Sequence, residues 1–179
     1  MKVLTFSRQF PKKHPKAGEP TFFVEKILAN FWDKVSWSDE KTRIIVSNYT
    51  DTLPLHNVGH YGEKLHTIRN GHRWKIGDMA SLRVWYGKPY ASKQVEFAQV
   101  QIKKIWNIKI DRKGNVIIKS GKKTSFMKFG FPAFARLSHF DGFEHSKDLI
   151  DWFKCHPMKK KGKYIFVGQI ICWSDKITY

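Results

Sequence analysis

Apolar and polar residues alternate over most of 95–110, and the segment Asp111-Arg112-Lys113-Gly114-Asn115 follows at once. A period of two places alternate side chains on opposite faces of an extended chain. The Asp-to-Asn segment is a hairpin signal, so a returning strand is predicted over 116–119. A long strand with an immediate partner commits the chain to a β-sheet. The rest of the sequence must supply what covers it.

Other extended segments are predicted over 3–6, 64–68, 79–86 and 164–173, with Asn70-Gly71 and Gly77-Asp78 as turns. Helical spacing appears at Phe22, Phe23, Ile27, Leu28, Phe31, Trp32 and Val35, which predicts a first helix over about 22–35 after Thr21. A short helix is expected over 131–140. A clearer one starts at Ser146, with Leu149, Ile150 and Phe153 on one face. Ile44, Ile45 and Val46 read as a further strand, 121–124 and 159–163 as loops. The order of elements points to an α+β class, a small barrel-like sheet with helices packed on it. A length of 179 residues suits one domain, in which 1–59 is the less certain part, an extension or an insertion.

The chain carries 33 Lys and Arg against 15 Asp and Glu, a net charge of +18. Such a surplus attracts polyanions, above all nucleic acid. With 41% hydrophobic and 15% aromatic residues the chain is too apolar for a disordered basic tail. No apolar stretch reaches the ~18 residues of a membrane helix, and the N-terminal apolar run is too short for a secretory signal. Cys155 and Cys172 form no Cys-x-x-Cys pair, which argues against a disulfide framework and a cysteine zinc site. A soluble cytoplasmic protein is expected, without a membrane partner and without a cofactor. His56, His60, His66 and His72 cluster, but Pro54 and Gly59 break the helix that would align the first two, so no metal site is expected.

The most informative stretch is Gly62-Glu63-Lys64-Leu65-His66-Thr67-Ile68-Arg69. On an extended chain Lys64, His66 and Ile68 share one face, Thr67 and Arg69 the other. Gly62 permits a bend at the start that would bring Lys64 and Thr67 together. A lysine, a hydroxyl and an arginine beside a glycine turn suit a phosphate or a carbonyl oxygen.

This octad resembles the ASCH signature G-x-K-x-x-E-x-R of the PUA-like superfamily, matching at Gly62, Lys64 and Arg69 with Thr67 in place of the glutamate. Gly77-Asp78 and Asp141-Gly142-Phe143 resemble two further segments of that family, in the same order. The resemblance implies a PUA-like β-barrel with flanking helices that binds RNA or a modified nucleotide. The residues expected at that site are Gly62, Lys64, Thr67, Arg69, Arg73, Trp74, Lys75, Lys88 and Lys93. Trp74, between Arg73 and Lys75, is the preferred stacking platform. Lys88 and Lys93 lie in a loop over 87–94 that would rim the cleft. Binding alone is one outcome. The other follows from the threonine, which resembles a branch of small amidohydrolases that deacetylate N4-acetylcytidine. That branch implies Thr67 as nucleophile, Lys64 as its activating base and Asp141 as the assisting acid, with Glu144 next to it. A lysine serves as such a base only when burial or neighbouring positive charge lowers its pKa.

Overall fold

The long alternating run is broken at Ile102 and Lys103, where the chain leaves one sheet and enters another. In the computed structural model, which describes residues 1–32, 40–155 and 163–179, Ile102 exchanges backbone hydrogen bonds with Gly77 and Asp78. The next residue, Lys103, donates its N–H to the carbonyl of Cys172. The run therefore becomes β4 (Gln94–Gln101) and β5 (Lys104–Asp111). A register shift within β4, opposite Leu82 and Arg83, sets Phe97 in as an extra residue and bends the strand.

Sheet one contains β1 (Lys2–Phe6), β3 (Met79–Trp85) and β4, in the order β1-β3-β4. Its β1 runs parallel to β3, so the first strand of the segment 1–59 is built into the sheet. Sheet two has the order β2-β8-β5-β6-β7, with β2 at His66–Asn70, β6 at Val116–Ser120, β7 at Lys123–Met127 and β8 at Tyr164–Cys172. All its pairings are antiparallel. The described residues thus form an α+β fold with eight strands in two sheets and four helices.

The helices are α1 (Phe23–Trp32), α2 (Glu40–Thr50), α3 (Pro132–Phe140) and α4 (Ser146–Cys155). The stretch Ile44-Ile45-Val46 is helical, not extended. Ile45 is half-buried, and Tyr49 and Leu53, four and eight positions on, are buried with it. That spacing is one helical stripe, and Tyr49 packs its ring on Phe97 of β4 at 5.9 Å. The expected loop at 121–124 is shorter than predicted. Gly121, at φ +56°, and Lys122 make a two-residue turn between Ser120 and Lys123, and β7 follows. The predicted end of the first helix and most of the loop at 159–163 lie outside the described residues.

One face of sheet two, with Trp106, Ile108, Ile110, Val116, Ile118 and Met127, is buried. Phe153 of α4 closes on Phe166 of β8 there, ring centroids 4.4 Å apart. Among the described residues no helix is long and apolar enough to cross a membrane.

Candidate functional site

Lys64 enters β2 between two helices. Its backbone N–H donates to the carbonyl of Lys26 in α1 at 2.8 Å, and that of Leu65 donates to the carbonyl of Phe140, the last residue of α3, at 2.9 Å. The side chain is drawn inside and is 1% exposed. There the ammonium group donates to Asp141 twice, to Oδ1 at 2.8 Å and to the backbone carbonyl. The rings of Phe23, at 4.6 Å, and Phe6, at 5.9 Å, face the same ammonium.

The Asp-Gly-Phe segment is the other half of this arrangement. Asp141 supplies the two acceptors. Gly142 has φ +88°, and a Cβ there would stand 3.1 Å from Lys64 Cδ and from Phe23 Cδ1. Its carbonyl accepts a hydrogen bond from Lys26 Nζ at 2.8 Å. Phe143 is buried against Phe23, with 5.4 Å between ring centroids, and Trp152, at 5.6 Å. The three residues therefore act as acceptor, close-packing point and anchor.

His66 and Tyr179 extend the network. His66 is fully buried, with Nδ1 3.4 Å from Asp141 Oδ1 and Nε2 2.7 Å from Tyr179 Oη. A carboxylate only accepts, so the neutral ring is best satisfied with its proton on Nδ1 and with the Tyr179 hydroxyl donating to Nε2. Burial pushes the Tyr179 hydroxyl well above its ordinary range and holds it protonated. Burial also lowers His66, against the pull of Asp141. Hydrogen bonds thus join Lys64 to Asp141 and His66 to Tyr179, and the two pairs meet at the 3.4 Å approach of His66 Nδ1 to Asp141, where Nδ1 makes no hydrogen bond. Tyr179 carried no sequence signal, because it lies 113 positions from His66.

Burial, with Arg69 and Lys26 adding to it, lowers Lys64 to about 8 in spite of Asp141. Burial pushes the Asp141 carboxyl up, but Lys64 and His66 outweigh it and hold it below the usual carboxylate range. The Asp141 carboxylate faces the Lys64 ammonium and holds that side chain in place.

Thr67 and Arg69 lie on the opposite face of β2, as the alternation requires. Thr67 is 4% exposed and stands in register with Ile171 of β8. Arg69 donates from Nη2 to the carbonyl of Thr5 at 2.6 Å and spreads its guanidinium 5.1 Å from the Phe6 ring. Its Nε is sealed from solvent without a hydrogen-bond partner, and so is Nε1 of Trp173, whose ring lies 6.2 Å from that of Phe6. One phenyl ring therefore packs against an ammonium, a guanidinium and an indole ring, and the guanidinium and the indole each carry a buried donor without a partner.

The remaining expected residues divide. Gly62 makes the predicted bend, with φ +79°. Trp74 is buried at 3% exposure, with Lys2 and Arg73 each 5.5 Å from the ring. It is a core residue and not an open platform, because β1 and the Gly77-Asp78 turn fold against it. Asp78 of that turn pairs with Lys2 and accepts the Lys75 N–H at 2.8 Å. Arg73, Lys75, Lys88 and Lys93 are exposed. The open aromatic surface lies instead at the β3–β4 loop. Tyr90 is 92% exposed and rests on Trp85 at 5.3 Å, and Lys93 lies 5.4 Å from the Tyr86 ring. Thr5, whose carbonyl accepts from Arg69, also accepts at its hydroxyl from Gln94, the residue after Lys93, at 3.2 Å. Among the described residues no group of three or more His, Cys, Asp or Glu is arranged to hold a metal ion.

No family model, no curated protein and no solved structure matches this chain.

Proposed function

We propose that the chain is a PUA-like domain of the ASCH kind that binds RNA or a modified nucleotide at the Lys64–Arg69 segment, its two sheets standing for the family's barrel. The observation that carries this reading is the Arg69 guanidinium, with an unmet Nε, beside the buried Lys64–Asp141 pair. Buried charges with unmet donors stabilise a fold poorly, and such donors match the acceptors on base edges and phosphates. Tyr90, Tyr86, Lys88 and Lys93 at the loop beside Arg69 offer stacking surfaces and charge for the rest of a nucleotide. The test is a titration with labelled single-stranded RNA at several salt concentrations. Affinity falling steeply with salt, and weakened by Lys88→Gln with Lys93→Gln, is the expected result. A salt-independent affinity, or one indifferent to both lysines, overturns it.

A second reading, a small amidohydrolase, is favoured by the state of Lys64. A neutral amine donating both hydrogens to Asp141 keeps its lone pair free, and in this reading it takes the proton of Thr67 Oγ once the segment bends to bring the two side chains together. The threonine oxygen would attack the acyl carbonyl of an N4-acetylcytidine-type nucleoside, and the same proton would pass from Lys64 to the leaving amine. Water would then release the acetate from Thr67. Incubation with N4-acetylcytidine separates the readings. Cytidine and acetate formed by the native protein and not by Thr67→Ala establish the enzyme, whereas no product from either leaves binding alone.

A further inference from the structure

Between Asp111 and Asp141 the chain carries seven Lys and Arg residues and not one Asp or Glu. This stretch contains the β6–β7 hairpin and its exit into α3. Register places Lys109, Ile117 and Phe126 in one row across β5, β6 and β7, and Asn107, Lys119 and Thr124 in the next. Paired residues share a face, so these six side chains lie on one side of the sheet. The opposite side holds Ile108, Ile110, Val116, Ile118 and Met127, all buried. The first side is therefore the outer one, and on it Phe126 is 64% exposed. Just beyond β7, Phe131 is 53% exposed, with the Lys128 ammonium 5.4 Å from its ring. Lys119, Lys122 and Lys128 are exposed, and among the described residues none of them has an ion-pair partner.

We infer that this outer face of the β6–β7 hairpin is a second nucleic-acid surface that takes a single strand, with bases stacked on Phe126 and Phe131 and phosphates held by Lys119, Lys122 and Lys128. Three features select this occupant. Exposed rings alternate with cations, which is the pairing a base-and-phosphate chain requires. The rings of Phe126 and Phe131 are exposed on this side, where unstacked bases can lie on them, whereas a duplex keeps its bases turned inward. A second copy of the chain is disfavoured, since an acid-free patch meeting itself sets lysine against lysine. The inference does not rest on the reading of the Lys64–Arg69 site: β2 and β7 are the two opposite edges of this sheet, and the residues that carry the inference lie on β6, β7 and the exit into α3.

The test uses the full chain and a short fluorescein-labelled oligouridine, followed by anisotropy, with a duplex RNA of equal length as the comparison. Phe126→Ala is expected to weaken single-strand binding about tenfold, the effect of losing one stacked base. Lys119→Gln/Lys122→Gln/Lys128→Gln is expected to lower the slope of log affinity against log salt by about two, at ~0.7 per phosphate contact. All four positions are exposed, so the variants are expected to melt like the native protein, and melting curves check this. Unchanged oligouridine affinity in both variants overturns the inference. So does equal affinity for the duplex, which would leave phosphate contact without stacking. Binding to anionic phosphatidylserine vesicles but not to the oligonucleotide would overturn it in favour of a lipid surface. A dimer by light scattering that Phe126→Ala dissociates, with oligouridine affinity unaltered, would overturn it in favour of self-association.

Discussion

Gly142 and Lys64 pack so closely that a single added carbon at Gly142 would stand 3.1 Å from Lys64 Cδ. The glycine has φ +88°, so the backbone also resists any side chain. Gly142→Ala is expected to cost about 2–4 kcal/mol, from the left-handed backbone and the crowding together. Urea denaturation checks the value. An unchanged midpoint would show that Lys64 moves aside freely.

Gly168 is the stricter case. A Cβ there would lie 2.0 Å from the carbonyl oxygen of Arg69, across the β2–β8 pairing. No side-chain rotation relieves a clash with backbone. Gly168→Ala is therefore expected to pull β2 from β8 and lower the melting temperature far more than Gly142→Ala does. Hydrogen exchange at Ile68 and Asn70 would rise with it.

The Lys64–Asp141 pair should show strong coupling. Removing one charge strands the other in the interior, so Asp141→Asn and Lys64→Met are each expected to cost about 3–5 kcal/mol. The double variant Lys64→Met/Asp141→Leu leaves no charge behind and is expected to cost much less than the sum. A double-mutant cycle in denaturant measures this, and additive losses would rule the pair out as a coupled unit.

The same pair dictates the pH dependence. Lys64 titrates at about 8 in the folded chain, below its ordinary 10.5, so between these values the unfolded chain binds the extra proton. Stability should then rise from about pH 8 upward, and Lys64→Met should flatten this rise. Asp141 lies below its unfolded value of ~3.9, so its contribution is present above that pH and is lost as pH falls through the folded pKa. Asp141→Asn should remove that share of the acid limb. Melting temperatures across both ranges provide the readout.

Tyr179→Phe takes the hydroxyl from His66 Nε2 and leaves a buried acceptor unmet. A loss of about 1–3 kcal/mol is expected. His66→Phe removes the acceptor as well, and combining the two changes should cost less than their sum. Thermal melts of the three variants decide it.

The octad and the Asp-Gly-Phe segment were visible as residue types in fixed order, and Lys64 and Asp141 do meet although 77 positions separate them. Alternation assigned His66 and Thr67 to opposite faces, whereas Lys64 and Arg69, also assigned to opposite faces, both reach the Phe6 ring. Trp74 was misplaced because flanking Arg73 and Lys75 suggest an exposed site, while its burial comes from β1, seventy positions upstream. Asp141 was expected beside Lys64 as an assisting acid; its pairing with that ammonium and its approach to His66 depend on where the end of α3 meets the chain before β2. The segment 44–46 has strand-forming side chains, yet its contact with β4 through Tyr49 requires helical spacing.

What is local in the chain was determined by the sequence: the strand period, the Asn70-Gly71, Gly77-Asp78 and Asp111-to-Asn115 turns, the apolar face of α4, and the charge of +18. These follow from steric and solvation preferences that act within a few residues. What depends on distant partners was decided by the folded state. It split one alternating run between two sheets, buried Lys64 and lowered its pKa, linked it through Asp141 and His66 to Tyr179, and left Phe126 bare among lysines. Burial and electrostatic coupling act through space, and a residue's neighbours in space are set by how the sheets and helices pack.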